Sequence, residues 1–218
     1  MKISFAVTGC NEGDERKRGV PFLIEHKRSE DEIVVLFDEK NGDPNILDFL
    51  LEYNKLPNVQ TWRGLWWNDN FAEWKNKLNE YCTGDYIFQL DADEYLEPDL
   101  IYNLEDILEN NNDKDLIVVP RINTVEGLTQ EYIAKWRWNV NEKGWVNFPD
   151  WQMRLYRNCD WVKWDGLLHS KIEGHKTFVF LPTEKLFCII HNKQIDRQVA
   201  QNTLYDKIEL NGRTQYKV

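Results

Sequence analysis

The residues best equipped for chemistry are the carboxylates of Asp91-Ala92-Asp93-Glu94, set directly behind the apolar run Tyr86-Ile87-Phe88-Gln89-Leu90. Acids this close repel one another, and burying them is costly unless a cation or hydrogen bonds compensate. In an extended segment residues two apart point the same way, so Asp91 and Asp93 can face one divalent ion while Glu94 points elsewhere. Hard cations such as Mg²⁺ and Mn²⁺ take one or two carboxylates and leave other positions to phosphate oxygens. A polar turn behind a strand is the alternative reading, because Asp is common there.

Strand and helix patterns alternate in the first half. Residues 2–8 read as a buried strand ending at Thr8-Gly9-Cys10-Asn11-Glu12, and residues 14–28 as a charged helix interrupted or begun near Gly19 and Pro21. Ile33 to Phe37 is a second strand, closing at Asp38-Glu39. Asp43-Pro44 has the form of an N-cap followed by proline in the first helical position, opening a helix through about Tyr53. Asn58 to Trp62 is a short third strand; Asp69 to Cys82 is a helix with Phe71, Trp74, Leu78 and Tyr81 on one face; Tyr86 to Leu90 is the fourth strand. Such alternation predicts an α/β fold with a mostly parallel sheet. Ligands bind such sheets beyond the carboxyl ends of the strands. Asn11-Glu12, Asp38, the Trp62–Trp67 segment and Asp91-Ala92-Asp93 all fall there.

The second half reads as a helix near 97–110, a strand Leu116 to Pro120, and short aromatic-rich strands or loops at Tyr132–Trp138, Trp145–Phe148, Gln152–Tyr156 and Phe178–Leu181. Leu186 to Ile190 is a buried strand ending at His191-Asn192, and Ile195, Val199, Tyr205 and Ile208 mark a C-terminal amphipathic helix with a loose tail beyond Asn211. With 218 residues the chain can bury one large core. Its net charge of −10 argues against a nonspecific nucleic-acid binder without excluding a local basic groove. No apolar run is long enough to span a bilayer, and the opening residues turn polar too quickly for a signal peptide. The four cysteines form no CxxC pair, which predicts free thiols in a reducing cytoplasm. No GxxxxGK[ST] loop is present, which disfavours a P-loop phosphoryl transferase.

Thr8-Gly9-Cys10-Asn11-Glu12, Asn70 to Asn76, Thr83 to Phe88 and Leu90-Asp91-Ala92-Asp93-Glu94, taken in order, resemble segments of family 2 glycosyltransferases. Pro149 to Arg157 is similar to a segment of the subgroup related to lipopolysaccharide-core glycosyltransferases. The Gly-x-x-His-Glu element that follows there is matched by Gly166-Leu167-Leu168-His169-Ser170, with serine replacing glutamate. Cys188 to His191 resembles the segment carrying the fold's C-terminal histidine.

The resemblance implies a GT-A fold in a single domain over 1–218. A Rossmann-like nucleotide-sugar half would span 1–94, and a mixed, aromatic-rich acceptor half 95–218. It implies metal-dependent, inverting transfer from a nucleoside-diphosphate sugar, with UDP the expected nucleotide, to a hydroxyl of a glycan or glycolipid. An acceptor base in viral DNA and a sugar-nucleotide-binding module without catalysis are the alternatives. Mn²⁺ or Mg²⁺ would sit on Asp93, with Asp91 shared between metal and ribose and His191 completing the site. Thr8, Asn11, Glu12, Asp38, Trp67, Lys75, Asp91 and Ala92 would line the donor. Asp150 is the first candidate for the general base, Asp165 the second, and His169 a base or acceptor ligand. Trp136, Trp138, Trp145 and Trp151 would offer the acceptor aromatic faces or pack in a core. The expected location is cytoplasmic, with peripheral membrane attachment or a host cytoplasm as variants.

Overall fold

The computed structural model describes residues 1–9, 16–65, 70–167 and 169–215, with only the backbone described for 16–18, 204 and 207–215. In chain order the first half gives β1 (Ile3–Gly9), α1 (Arg16–His26), β2 (Glu32–Asp38), α2 (Pro44–Glu52), β3 (Val59–Gly64), α3 (Phe71–Asn79) and β4 (Tyr86–Leu90). The second half continues with β5 (Glu94–Leu96), α4 (Pro98–Asn110), β6 (Leu116–Glu126), α5 (Gln130–Trp136) and β7 (Val146–Arg157). Then come β8 (Lys163–Asp165), β9 (Lys171–Glu173), β10 (Phe178–Phe180), β11 (Ile189–Gln194) and α6 (Ile195–Gln215).

Local chemistry accounts for the helix starts. The Asp43 carboxylate accepts the Asn45 N–H at 2.9 Å with Pro44 opening α2. Asn70 accepts the Glu73 N–H at 3.1 Å at the head of α3, and Pro98 opens α4. The structure departs from the sequence pattern at four places. Tyr132 to Trp138 is mainly the helix α5, capped by Thr129, and its Tyr132 and Trp136 rings stack at 4.8 Å one turn apart. The spans around 145–148 and 152–156 are one twelve-residue strand, β7. The strand expected at Leu186–Ile190 begins later, after a 3₁₀ turn at Lys185–Phe187, so His191 lies inside β11. Helix α6 runs past Asn211 to Gln215.

One sheet joins both halves, in the order β3-β2-β1-β4-β7-β6-β11-β5, with β10 also beside β6. β1 to β4 are parallel. β7 runs antiparallel to both β4 and β6, and β11 lies parallel to β6. The carboxyl ends of β1, β2, β4, β6 and β11 therefore point the same way, and the first half of β7 reaches that same edge. Strand residues alternate between two cores. Phe5, Ile33, Val35 and Phe88 pack with α1, α2 and α4, whereas Ala6, Val34, Leu36 and Ile87 pack with Trp74 and Leu78 of α3 and with Trp164 and Ile172 of the β8–β9 ribbon. Among the described residues Cys82, Cys159 and Cys188 are free thiols, and no helix is long and apolar enough to cross a membrane.

Candidate active site

At the end of β4 the chain turns at once: the Glu94 N–H donates to the Asp91 carbonyl at 2.9 Å. That turn interrupts the two-residue alternation. Glu94 consequently points inward, its side chain fully buried, and its Oε2 accepts the Asp91 N–H at 3.0 Å. Its Oε1 accepts from Arg121 Nη1 of β6 at 2.6 Å and from Arg154 Nη2 of β7 at 2.9 Å. Arg154 also donates to both Asp91 oxygens, and Lys75 Nζ of α3 stands 3.8 Å from Asp91 Oδ1. Arg121 reaches on to Asp150, donating from Nε at 2.9 Å and Nη2 at 2.6 Å. The result is an alternating row, Lys75–Asp91–Arg154–Glu94–Arg121–Asp150, across the edge where α3, β4, β7 and β6 meet.

The row shifts the ionisation of several of its members. Burial opposes the charge on Asp91, but Arg154 and Lys75 outweigh it and keep the carboxyl well below its usual range. Burial also opposes Arg154, which Asp91 and Glu94 nonetheless hold firmly protonated. Lys75 is the exception: burial lowers it to about 8 despite Asp91. Its ammonium lies 4.1 Å from the centroid of the Trp164 ring.

The second arm of the site hangs from Asp150. Its Oδ2 also accepts from Asn123 Nδ2 at 2.8 Å and its Oδ1 from Gln152 Nε2 at 2.8 Å. Burial would raise the Asp150 carboxyl, but Arg121 and these amides draw it below the ordinary value. An ionised carboxylate only accepts, so Asn123 must turn its NH₂ to Asp150 and its oxygen to His191. Asn123 Oδ1 lies 2.7 Å from His191 Nδ1, which must therefore carry a hydrogen. His191 Nε2 then faces Asp93 Oδ2 at 3.4 Å. Burial opposes ionisation of Asp93, but the hydrogen bond and charge of His191 bring it down to about 2.

A divalent ion fits this pair. Neighbouring donors on an octahedral ion with bonds of about 2.1 Å lie about 3 Å apart, close to the Asp93–His191 spacing, and the Asn123 bond orients the imidazole as metal-binding histidines are oriented. Asp91 turns both oxygens to Arg154 instead. Among the described residues no group of three His, Cys, Asp or Glu side chains is arranged to hold a metal.

Of the other expected donor residues, Thr8 is half-buried near the end of β1 and Ala92 is buried in the turn. Asp38 is buried at the end of β2, accepting the Lys40 N–H at 2.9 Å and the Asn41 amide at 2.8 Å. Asn11, Glu12 and Trp67 lie outside the described residues. Asp165 is exposed on β8 opposite Lys171. His169 is exposed too, its ring centroid 6.2 Å from that of Tyr205 on α6. Among the described residues neither meets a member of the charged row. Trp136 and Trp138 are neighbours at 4.6 Å, Trp145 packs on Phe148, and Trp151 on Phe180. Sequence reasoning missed Arg121, Asn123 and Gln152, gave Arg154 no role, and set Glu94 aside.

A parallel nucleotide-binding sheet, an acidic turn after its fourth strand and a mixed second half define the GT-A class of glycosyltransferases. Crystal structures of S. aureus TarS share the fold. TarS 1-349 superposes with a TM-score of 0.62 at 13% identity over 88% of this chain and 60% of that one. Its complex with UDP gives the same values, and its complex with UDP-GlcNAc a TM-score of 0.60 at 13% identity, over 88% of this chain and 59% of that one. The chain thus spans less than two thirds of these structures. No curated protein matches it in sequence. The chain belongs to glycosyl transferase family 2, whose family model matches residues 4–203.

Proposed function

We propose that this family 2 glycosyltransferase moves a sugar from a nucleoside-diphosphate donor, a UDP-sugar, to a hydroxyl of a glycan or glycolipid, with inversion. The observation that carries the reading is the linkage of Asp150 to the Asp93–His191 pair through the single side chain of Asn123. A general base and an ion-binding pair joined in this way suit one displacement. The UDP and UDP-GlcNAc complexes of TarS favour uridine as the donor base.

Asp93 and His191 would hold Mn²⁺ or Mg²⁺, and the ion when bound supplies Lewis-acid stabilisation of the departing diphosphate. Thr8, Asp38 and Ala92 contribute walls for base and ribose, a role the family resemblance extends to Asn11, Glu12 and Trp67. Asp91, clamped by Arg154, presents its carboxylate in one fixed direction to the ribose hydroxyls. Lys75 brings a desolvated ammonium toward the diphosphate. Asp150 takes the proton of the acceptor hydroxyl as that oxygen attacks the anomeric carbon, and the carbon–oxygen bond to the diphosphate breaks on the opposite face. Because Arg121, Asn123 and Gln152 keep Asp150 ionised, the base is ready across the neutral range. Their four hydrogen bonds fix its direction.

A thermal-shift screen of nucleotide sugars with and without Mn²⁺ tests the donor. A ligand at a hundred times its Kd stabilises by about 2.7 kcal/mol, so UDP-sugars should raise Tm by several degrees and other nucleotides by less. Asp150→Asn should retain that shift and lose turnover by about 10²-fold or more. Undiminished turnover in Asp150→Asn removes it as the base, and the absence of any nucleotide-dependent shift overturns the whole reading.

A further inference from the structure

We propose that Lys193 is a second diphosphate-binding cation, held until the donor arrives by Gln201 of α6. The inference rests on the donor reading above and adds the residue that meets the leaving group. Lys75, Arg121 and Arg154 each lie within 4 Å of a carboxylate. Lys193 does not. It is only 8% exposed, and among the described residues its ammonium has one hydrogen-bond acceptor, the neutral side-chain oxygen of Gln201. It lines a cleft of about 660 Å³ whose wall also includes Asp93, Glu94 and Asn192.

A buried cation with no carboxylate in direct contact is an unfavourable arrangement that an incoming anion relieves. Strand alternation sends the side chain of Lys193 to the same side of β11 as His191, the side that faces Asp93. An ammonium has three hydrogens to donate; with one on Gln201, two remain for phosphate oxygens. As the glycosidic carbon–oxygen bond breaks, its electron pair passes to the β-phosphate oxygen, and Lys193 meets that growing charge. Gln201 in turn donates to the Tyr205 hydroxyl at 2.7 Å, and the Tyr205 ring stands edge-on to Phe71 at the head of α3. The ammonium is thus tied through α6 to the helix that carries Lys75.

Calorimetric titration with UDP and with uridine, in the presence of Mg²⁺, tests this. Lys193→Met should weaken UDP at least tenfold and leave uridine unchanged, and Lys193→Arg should restore most of the loss. Gln201→Glu, which sets a competing carboxylate against the ammonium on an otherwise intact surface, should weaken UDP several-fold, again sparing uridine. It decides the matter if Lys193→Met does not fold. If the wild-type protein binds UDP no tighter than uridine, the donor reading fails and Lys193 loses its role with it. If the wild type prefers UDP but Lys193→Met and Gln201→Glu bind it equally well, the donor reading stands and the role of Lys193 is overturned.

Discussion

Glu94→Gln is the sharpest test of the charged row. The wild-type carboxylate is fully buried and takes three hydrogen bonds, from Arg121 at 2.6 Å, from Arg154 at 2.9 Å and from the Asp91 N–H at 3.0 Å. Glutamine keeps the volume but offers one oxygen, so its NH₂ must face either the two guanidinium groups or the Asp91 N–H. Three cations (Lys75, Arg154, Arg121) then face only two anions (Asp91, Asp150). Removing one partner of a buried ion pair costs about 3–5 kcal/mol. Because Asp91 and Asp150 still share the two guanidinium groups, the lower end applies, about 3 kcal/mol. At about 2–4 °C per kcal/mol for a chain of this size, Tm should fall by about 6–12 °C. Urea unfolding followed by tryptophan fluorescence should show the midpoint falling by about 1 M. A cycle with Arg121→Met separates the pair from its surroundings: residues in one network couple by about 0.5–3 kcal/mol. A loss under 1 kcal/mol, or strict additivity with Arg121→Met, would refute the coupling of Glu94 to the two guanidinium groups of the row.

Three further outcomes follow from the geometry. Lys75, lowered to about 8 by burial, should lose its charge as pH rises past 8, so UDP affinity should fall there while uridine affinity stays level; Lys75→Arg should flatten the profile, and a pH-independent UDP affinity in the wild type would contradict the assignment. Asp93 is held at about 2 against an ordinary 3.8, so its ionised form stabilises the fold fully above pH 4 and progressively less as pH falls toward 2. The difference is about 2 kcal/mol, and Asp93→Asn should lower neutral stability by that order while flattening the acid limb of the stability curve. Gly84→Ala should destabilise by about 1–3 kcal/mol, because an added Cβ would lie 2.7 Å from the Ser4 nitrogen and 2.9 Å from the Ile3 carbonyl carbon; urea unfolding indistinguishable from wild type would show that β1 yields at that point.

The legible parts of the chain were those whose signal is local. Apolar runs such as Ile33 to Phe37, the Asp43-Pro44 start and the carboxylates behind β4 state their structure within a few residues. The charged row is nonlocal. An arginine at 121 or 154 carries no mark distinguishing it from a solvated one until β7 enters between β4 and β6 and brings Arg154 to Asp91, 63 residues away. Strand alternation points Glu94 away from the site, but the turn that closes from Glu94 N–H to the Asp91 carbonyl breaks the alternation and buries its side chain. At helix α5 the local signal itself misleads: Tyr132, Trp136 and Trp138 favour strands by type, but the Thr129 cap and the stacking of Tyr132 on Trp136 one turn later outweigh that preference.

The antiparallel seat of β7 also limits how the molecule can be cut. All five residues of β4 are buried, and one of the two strands that bury them, β7, comes from the second half of the chain. A fragment ending near Glu94 would keep the polar strand ends of its half, yet it would present Tyr86-Ile87-Phe88-Gln89-Leu90 as a naked hydrogen-bonding margin open to any passing strand. Such a piece would tend to associate with copies of itself. Recombining this first half with the second half of a relative would therefore have to carry β7 across with it, in register, or lose solubility before specificity could be measured.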